Sequence, residues 1–321
     1  MSIIEKAVGE LGKRKTDAGQ APETPVPDTV ERAALQSAEA RPGRMADAVV
    51  RASNRSSAGV INIPFEELHH QGMLTPTTPR SSIAEQYRTI KRPILRNIEG
   101  ESASRIRFPN LVMVTSALEG DGKTFSSINL ALSIAMEMDK TVLFVDADVA
   151  KASAGLRLGV PRNSLGLIDL LENRDIDLSE VLFHTNVEKL TILPAGRAHA
   201  KSNELLASDS MKRLMVEMSQ RYEDRVIVFD SPPLLMTTEA SVLASFVGQV
   251  VFVVSAERTP QAAVVEAIEH IGEDKAVGMV LNRARRRRFA AMSYGYGYGY
   301  GYGYGEKEGG PYNQDRAAVV P

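Results

Sequence analysis

Ser116–Thr124 reads SALEGDGKT, directly after the apolar run Leu111–Thr115 and directly before the helix-like stretch Thr124–Met138. A strand, a glycine-rich turn and a helix in that order provide the context of a phosphate-binding loop. Gly120 and Gly122 let backbone N–H groups curl toward an anion, and the helix opening at Thr124 adds its positive end. Lys123 can reach terminal phosphates, and the Thr124 hydroxyl can ligate Mg²⁺. The nucleotide-contacting set expected from this loop is Gly120, Asp121, Gly122, Lys123, Thr124 and Phe125. The match to GxxxxGK[ST] is imperfect, because Ala117 stands at the first glycine. A dinucleotide-binding loop fits worse: Phe125 replaces its third glycine and Lys123 sits at the turn.

Outward from the loop, apolar runs alternate with helical stretches. Leu111–Thr115, Thr141–Val145, Leu190–Leu193, Val226–Phe229, Val250–Val254 and Ala276–Leu281 read as buried strands. Thr124–Met138, Leu165–Glu172, Asn203–Gln220, Glu239–Phe246 and Pro260–Ile271 read as helices. Ser82–Asn97 reads as a further helix, broken near Pro93. This alternation predicts an α/β, P-loop NTPase-like fold with a mostly parallel sheet and helices on both faces. The expected folded domain spans 82–289. Residues 1–81 read as a mostly disordered segment, with stretches such as QAPETPVPD and TPTTPRSS. Within it, Ile3, Ile4, Ala7, Val8 and Leu11 repeat at helical spacing over 2–12. That pattern suits either a nascent helix or a docking helix for a partner or membrane surface.

Acidic groups follow two of the strands. One ends Val145-Asp146-Ala147-Asp148, another Phe229-Asp230-Ser231-Pro232-Pro233. Parallel strands bring these acids to the edge that carries the phosphate loop. A lone Asp after a strand is an ordinary turn former. Three acids beside a phosphate loop suit Mg²⁺, which takes one or two carboxylates and keeps several waters. Asp230 is the expected water-mediated anchor, and Asp146 and Asp148 can hold metal or accept a proton. Asn282, at the end of the last strand, either reads an adenine edge or forms a turn. The histidines lack metal-ligand spacing and carry no assigned role.

Composition narrows the classes. The net charge of −2 gives no global argument for nucleic acid, and the absence of cysteine excludes disulfides, iron–sulfur clusters and thiol catalysis. No apolar run approaches the roughly twenty residues of a spanning helix, and no secretory signal is read at the start. The expected location is cytoplasmic.

Residues 290–321 read as a flexible Tyr/Gly-rich tail, with tyrosine alternating with glycine from Tyr294 through Tyr304. Tyr294, Tyr296, Tyr298, Tyr300, Tyr302 and Tyr304 lack the apolar cover that packed tyrosines have, so they read as presented phenols. Low-complexity adhesion is the plainer alternative. Arg283-Ala-Arg285-Arg286-Arg287-Arg288 precedes them, either as a solvated charge run, a phosphate-docking patch or a contact for an anionic membrane.

These features together resemble the bacterial tyrosine kinases (BY-kinases), the P-loop autokinases linked to exopolysaccharide export, and within them the exosortase-associated (PEP-CTERM/XrtA) branch. SALEGDGKT is similar to their Walker A motif, LFVDAD to Walker A′ and VIVFDSPP to Walker B. The resemblance covers about 82–305 and implies a Mg²⁺- and ATP-dependent protein-tyrosine autokinase. It implies that Lys123 and Thr124 bind phosphate and Mg²⁺, that Asp146 and Asp148 serve metal and base roles, and that Asp230 orients the metal. It also implies phosphorylation of the tail tyrosines of neighbouring subunits. Glu85-x-x-Arg88-x-x-Lys91 resembles the family's ExxRxxR subunit contact, with Lys in place of the last Arg. Ala150 stands where the family often has Arg, and Lys151 follows it. The implied partners are further copies of the chain in a ring, a membrane chain-length regulator (polysaccharide co-polymerase) recruiting it to the inner face of the plasma membrane, and a tyrosine phosphatase. Two other classes share these elements: a Min- or Par-like positioning ATPase and a noncatalytic ATP-binding assembly protein. The positioning ATPases carry a signature lysine where this chain has Leu118.

Overall fold

A computed structural model describes residues 59–100, 106–221 and 225–284. The expected helix at 2–12, Arg285–Arg288 and the tyrosines at 294–304 lie outside the described residues.

The strands are β1 (Gly59–Ile61), β2 (Leu111–Ser116), β3 (Thr141–Asp146), β4 (Phe183–Thr185), β5 (Leu190–Leu193), β6 (Arg225–Asp230), β7 (Gln249–Ser255) and β8 (Ala276–Asn282). They form one sheet in the order β1-β4-β5-β3-β6-β2-β7-β8. Every pairing is parallel except β4 with β5. Central strands such as β2 are buried along their whole length, as their uninterrupted apolar runs require.

Alternate residues feed two cores. Val112, Val114, Phe144 and Val228 face one side with Ile128, Leu132 and Ile94. Those last three come from the helices α2 (Ser82–Glu99) and α3 (Lys123–Ala135), numbered after the short α1 (Phe65–His70). Leu111, Met113, Val145 and Phe229 face the other side with Leu167, Met215 and Leu243. That layer follows α4 (Ala154–Arg157) and contains α5 (Leu167–Glu172), α6 (Leu178–Val181), α7 (Ser202–Leu206), α8 (Asp209–Arg221), α9 (Thr238–Phe246) and α10 (Gln261–Glu269).

The structure corrects the sequence reading in several places. The folded unit begins before residue 82, because β1 pairs with β4 and Ile61, Ile63, Leu68, Met73 and Leu74 join the core. Asn129 Oδ1 accepts from Leu74 N at 2.6 Å, which ties this upstream segment to α3. Helix α2 runs through Pro93 unbroken. Proline removes one helical donor, and burial of Ile94 and Leu95 on the far side of it holds the next turn in place. The stretch 203–220 is two helices, α7 and α8, separated at Ser208, whose hydroxyl donates to Leu205 O at 2.7 Å and accepts from Met211 N at 3.3 Å. Lys91 is 5% exposed and turns into its own subunit, where Nζ donates to Ser133 O and pairs with Glu137 at 2.8 Å. It is therefore occupied internally rather than offered to a neighbour. Glu85 and Arg88 remain on the exposed side of α2, paired with each other.

Candidate active site

The loop between β2 and α3 is held open by bonds made outside the cleft. Gly120 (φ 82°) and Gly122 (φ 103°) both occupy the left-handed region that disfavours side chains. A Cβ at Gly122 would lie 2.0 Å from Asn282 Nδ2, so the β8 terminus packs directly on the loop. The Asp121 side chain turns away from the cleft, which leaves its backbone N–H as the group that would contact a nucleotide. Its carboxylate accepts from Leu118 N at 3.2 Å and from Thr259 Oγ1 at 2.6 Å. This brace fixes the turn, and Thr259 carried no sequence signal for the role because it lies in the loop after β7. Asn282 is likewise engaged: its Nδ2 donates to Asp121 O at 2.8 Å, locking strand to loop.

A cleft of about 410 Å³ opens over this loop, lined by Gly120, Gly122, Lys123, Thr124, Phe125, Asp148 and Asn282. Glu119, Lys151, Ser153, Arg157 and Arg283 complete its walls. Glu119 and Lys151 form an ion pair, joining the phosphate loop to the turn after β3. Arg157 and Arg283 were not singled out for this site by the sequence; each reaches it only through the fold, one from α4 and the other from just beyond β8.

Beneath the cleft lie the carboxylates. Asp146 and Asp230 are register partners at the carboxyl ends of β3 and β6. Thr124 Oγ1 donates to Asp230 Oδ2 at 2.8 Å. Gly155 N donates to Asp146 Oδ2 at 3.0 Å. The other oxygen of each acid, Asp146 Oδ1 and Asp230 Oδ1, is buried without a hydrogen-bond partner. Burial, then the neighbouring Asp230 charge, pushes the Asp146 carboxyl up to about 8. Burial likewise raises Asp230 to about 6, against the pull of the Thr124 hydroxyl and the Lys123 charge. Asp148 is also raised by burial, with Lys123 opposing.

Two buried carboxylates with orphaned oxygens are costly unless something satisfies them. This donor set fits Mg²⁺, which favours oxygen ligands and can complete its shell with phosphate and water. No group of three or more His, Cys, Asp or Glu side chains suited to a metal forms among the described residues. The ion would therefore arrive with phosphate oxygens rather than settle in a protein-only cage.

A second cleft of about 260 Å³ adjoins the first, with Asp146 and Lys151 on its wall. Its far side is held by Asp169, whose carboxylate accepts from Gly166 N and Arg197 N, each at 3.0 Å, and from Arg197 Nε at 2.6 Å.

Comparison with known proteins agrees with this geometry. A family profile described as "AAA domain" matches residues 111–273. The chain is 31% identical over 214 residues to the tyrosine-protein kinase YwqD of Bacillus subtilis, covering 66% of this chain and 86% of that protein. It is 32% identical over 208 residues to the putative tyrosine-protein kinase CapB of Staphylococcus aureus, covering 64% and 86%. Among solved structures, the kinase domain of the Escherichia coli tyrosine kinase ETK superposes with a TM-score of 0.57 at 26% identity, covering 77% of this chain and 97% of that one.

Proposed function

The chain belongs to the bacterial tyrosine kinases, and on that premise we propose that it transfers the γ-phosphoryl group of Mg·ATP to tyrosines 294, 296, 298, 300, 302 and 304 of a neighbouring copy. The observation that carries this reading is the convergence of Lys123, Thr124 and Asp148 on one cleft above Asp146 and Asp230. Thr124, Asp146 and Asp230 would hold Mg²⁺, which supplies charge stabilisation on the phosphate oxygens. Lys123 offsets charge on the transferred group, and the glycine backbone of 120–122 cradles the phosphates.

A phenol with a pKa near 10 is protonated at neutral pH. Its oxygen forms the new bond to the γ-phosphorus while the bond to the bridging oxygen breaks, and that electron pair leaves with ADP. Asp146 or Asp148 accepts the phenolic proton. Glycine on either side of each tyrosine lets successive acceptors enter one site without a fixed register, and tethering supplies local concentration in place of affinity.

Leu118 packs against the sheet core, so the loop carries no lysine that could cross a dimer interface. That supports phosphoryl transfer over a positioning ATPase. Among the described residues, no helix is long and apolar enough to cross a membrane. In this reading a chain-length regulator recruits the chain to the inner membrane face, and a phosphatase resets the tail. Regulation of exopolysaccharide export is the role this reading proposes.

Intact mass after incubation with Mg·ATP tests it. Stepwise gains of one phosphate localised to 294–304, abolished in Lys123→Met with the fold retained, are expected. Undiminished tail phosphotyrosine in that variant would refute the assignment.

A further inference from the structure

Strand β8 closes one side of the sheet, and nothing pairs beyond it among the described residues. Its sequence, AVGMVLN, carries no charge and no proline. The opposite edge, β1, is only 3 residues long. Proteins blunt exposed edges by shortness, charge, proline or cover, and β8 has none of the first three. Ala276 N donates to Gly248 O at 3.1 Å, and Asn282 O accepts from Ala256 N at 2.9 Å. Even-numbered residues of β8 therefore address β7, and Val277, Met279 and Leu281 turn their N–H and C=O groups to the open edge. The same three side chains are 41%, 58% and 62% exposed. The edge thus offers free backbone pairing and apolar side chains at a period of two.

We propose that the unmodified tail, Tyr294–Gly305, docks on β8 of its own chain as an added strand, with tyrosine rings over Val277, Met279 and Leu281. An extended chain places every second side chain on one face. The tail has tyrosine at every second position from 294 to 304, so as an added strand it would present all its rings on one face and glycine on the other. Aromatic side chains opposite aliphatic ones are favourable cross-strand pairs. Strand β8 ends at Asn282, and residues 283–293 connect it to Tyr294. That connection can reach about 36 Å against roughly 23 Å for β8 at ~3.3 Å per residue, so the chain can turn back on itself. Alternating glycine weakens a strand standing alone. A template strand supplies what the tail lacks, as in other added-strand complexes. A slip of two residues restores the same match, so several registers are equivalent.

Docking withdraws the phenols from any active site. Release on phosphorylation rests on the proposed function, because a phosphate dianion has no place over Val277, Met279 and Leu281. The docking itself does not depend on that reading.

Hydrogen exchange of the segment 276–282 in the full-length protein, without nucleotide, tests the proposal against a full-length variant with the six tyrosines replaced by serine. Exchange at Val277, Met279 and Leu281 is expected to be at least ~10-fold slower in the parent, at every protein concentration. Equal rates in the two proteins would overturn docking. Protection that grows with concentration would overturn docking within one chain and assign the edge to a second copy. Adding Mg·ATP to the parent then reports separately: phosphate gained on the tail with protection of 276–282 unchanged overturns release on phosphorylation and leaves the docking result standing.

Discussion

Asp146 lies one strand from Asp230, and each keeps one buried oxygen without a partner. Without a cation between them, the cheaper state is a protonated one. Burial and the Asp230 charge raise the Asp146 carboxyl from 3.8 to about 8. The native state then binds more protons than the unfolded chain between those values, so stability falls as pH rises across the window. The contribution is complete below about 3.8 and lost by the time pH passes about 8, with Asp230 adding its part up to about 6. Thermal melting without nucleotide or Mg²⁺ is therefore expected to show a falling Tm from pH 5 to 9. Asp146→Asn should flatten that slope and raise Tm at pH 8 by several degrees, at about 2–4 °C per kcal/mol. It should also remove phosphoryl transfer. A parallel slope in the variant would show that Asp146 is not the titrating group.

Helix α2 gives the three residues that resemble a subunit-contact motif two different surroundings. Its outer face shows Glu85 and Arg88, while Lys91 is buried against Ser133 O and Glu137. An exposed pair contributes little to stability, about 0–1 kcal/mol. Removing one member of a buried, bonded set costs about 1–3 kcal/mol. Lys91→Ala is therefore expected to lower the unfolding free energy by that amount, read as a lower urea midpoint at unchanged m. Arg88→Glu should leave the unfolding free energy within about 0.5 kcal/mol of the parent and reduce the assembled mass in light scattering. An unchanged midpoint in the first variant, or an unchanged mass in the second, would refute the division. The same helix shows what a sequence can and cannot disclose. Its apolar spacing marked it as a helix, as the uninterrupted runs marked β2, β3, β6 and β7, because burial on both faces writes itself into consecutive residues. Strand β4, Phe183–Thr185, is too short and mixed to carry such a pattern. Strand β1 became a strand only through its pairing with β4. At the site, Lys123, Thr124 and the carboxylates were legible because their chemistry fixes their spacing. The inward turn of Lys91 and the Asp121–Thr259 brace were not, since each is decided by a partner more than forty positions away or in another layer.

At the scale of the whole molecule, the two proposals give the tail two destinations, β8 of its own chain and the cleft of a neighbour, and both predict that phosphorylation changes its affinity there. Each phosphate adds about −1.5 to −2 charges, so full modification brings roughly −9 to −12 to a chain whose net charge is −2. Adjacent acceptors lie two residues apart, about 6.6–6.8 Å in an extended chain. That is shorter than the Debye length of about 8–10 Å near physiological salt and longer than the ~3 Å of 1 M salt. Repulsion between phosphates should therefore be strong in the first condition and screened in the second. An assembly held by tail contacts is expected to fall to monomer after Mg·ATP treatment at 0.15 M salt and to return after phosphatase treatment. In 1 M salt the phosphorylated protein should regain part of its assembled mass, because screening removes repulsion without removing the modification. Light scattering at the two ionic strengths separates the mechanisms. Dissociation that persists fully in 1 M salt would place the effect in lost tyrosine contacts rather than charge, and an oligomer unchanged by phosphorylation would detach the tail from assembly altogether.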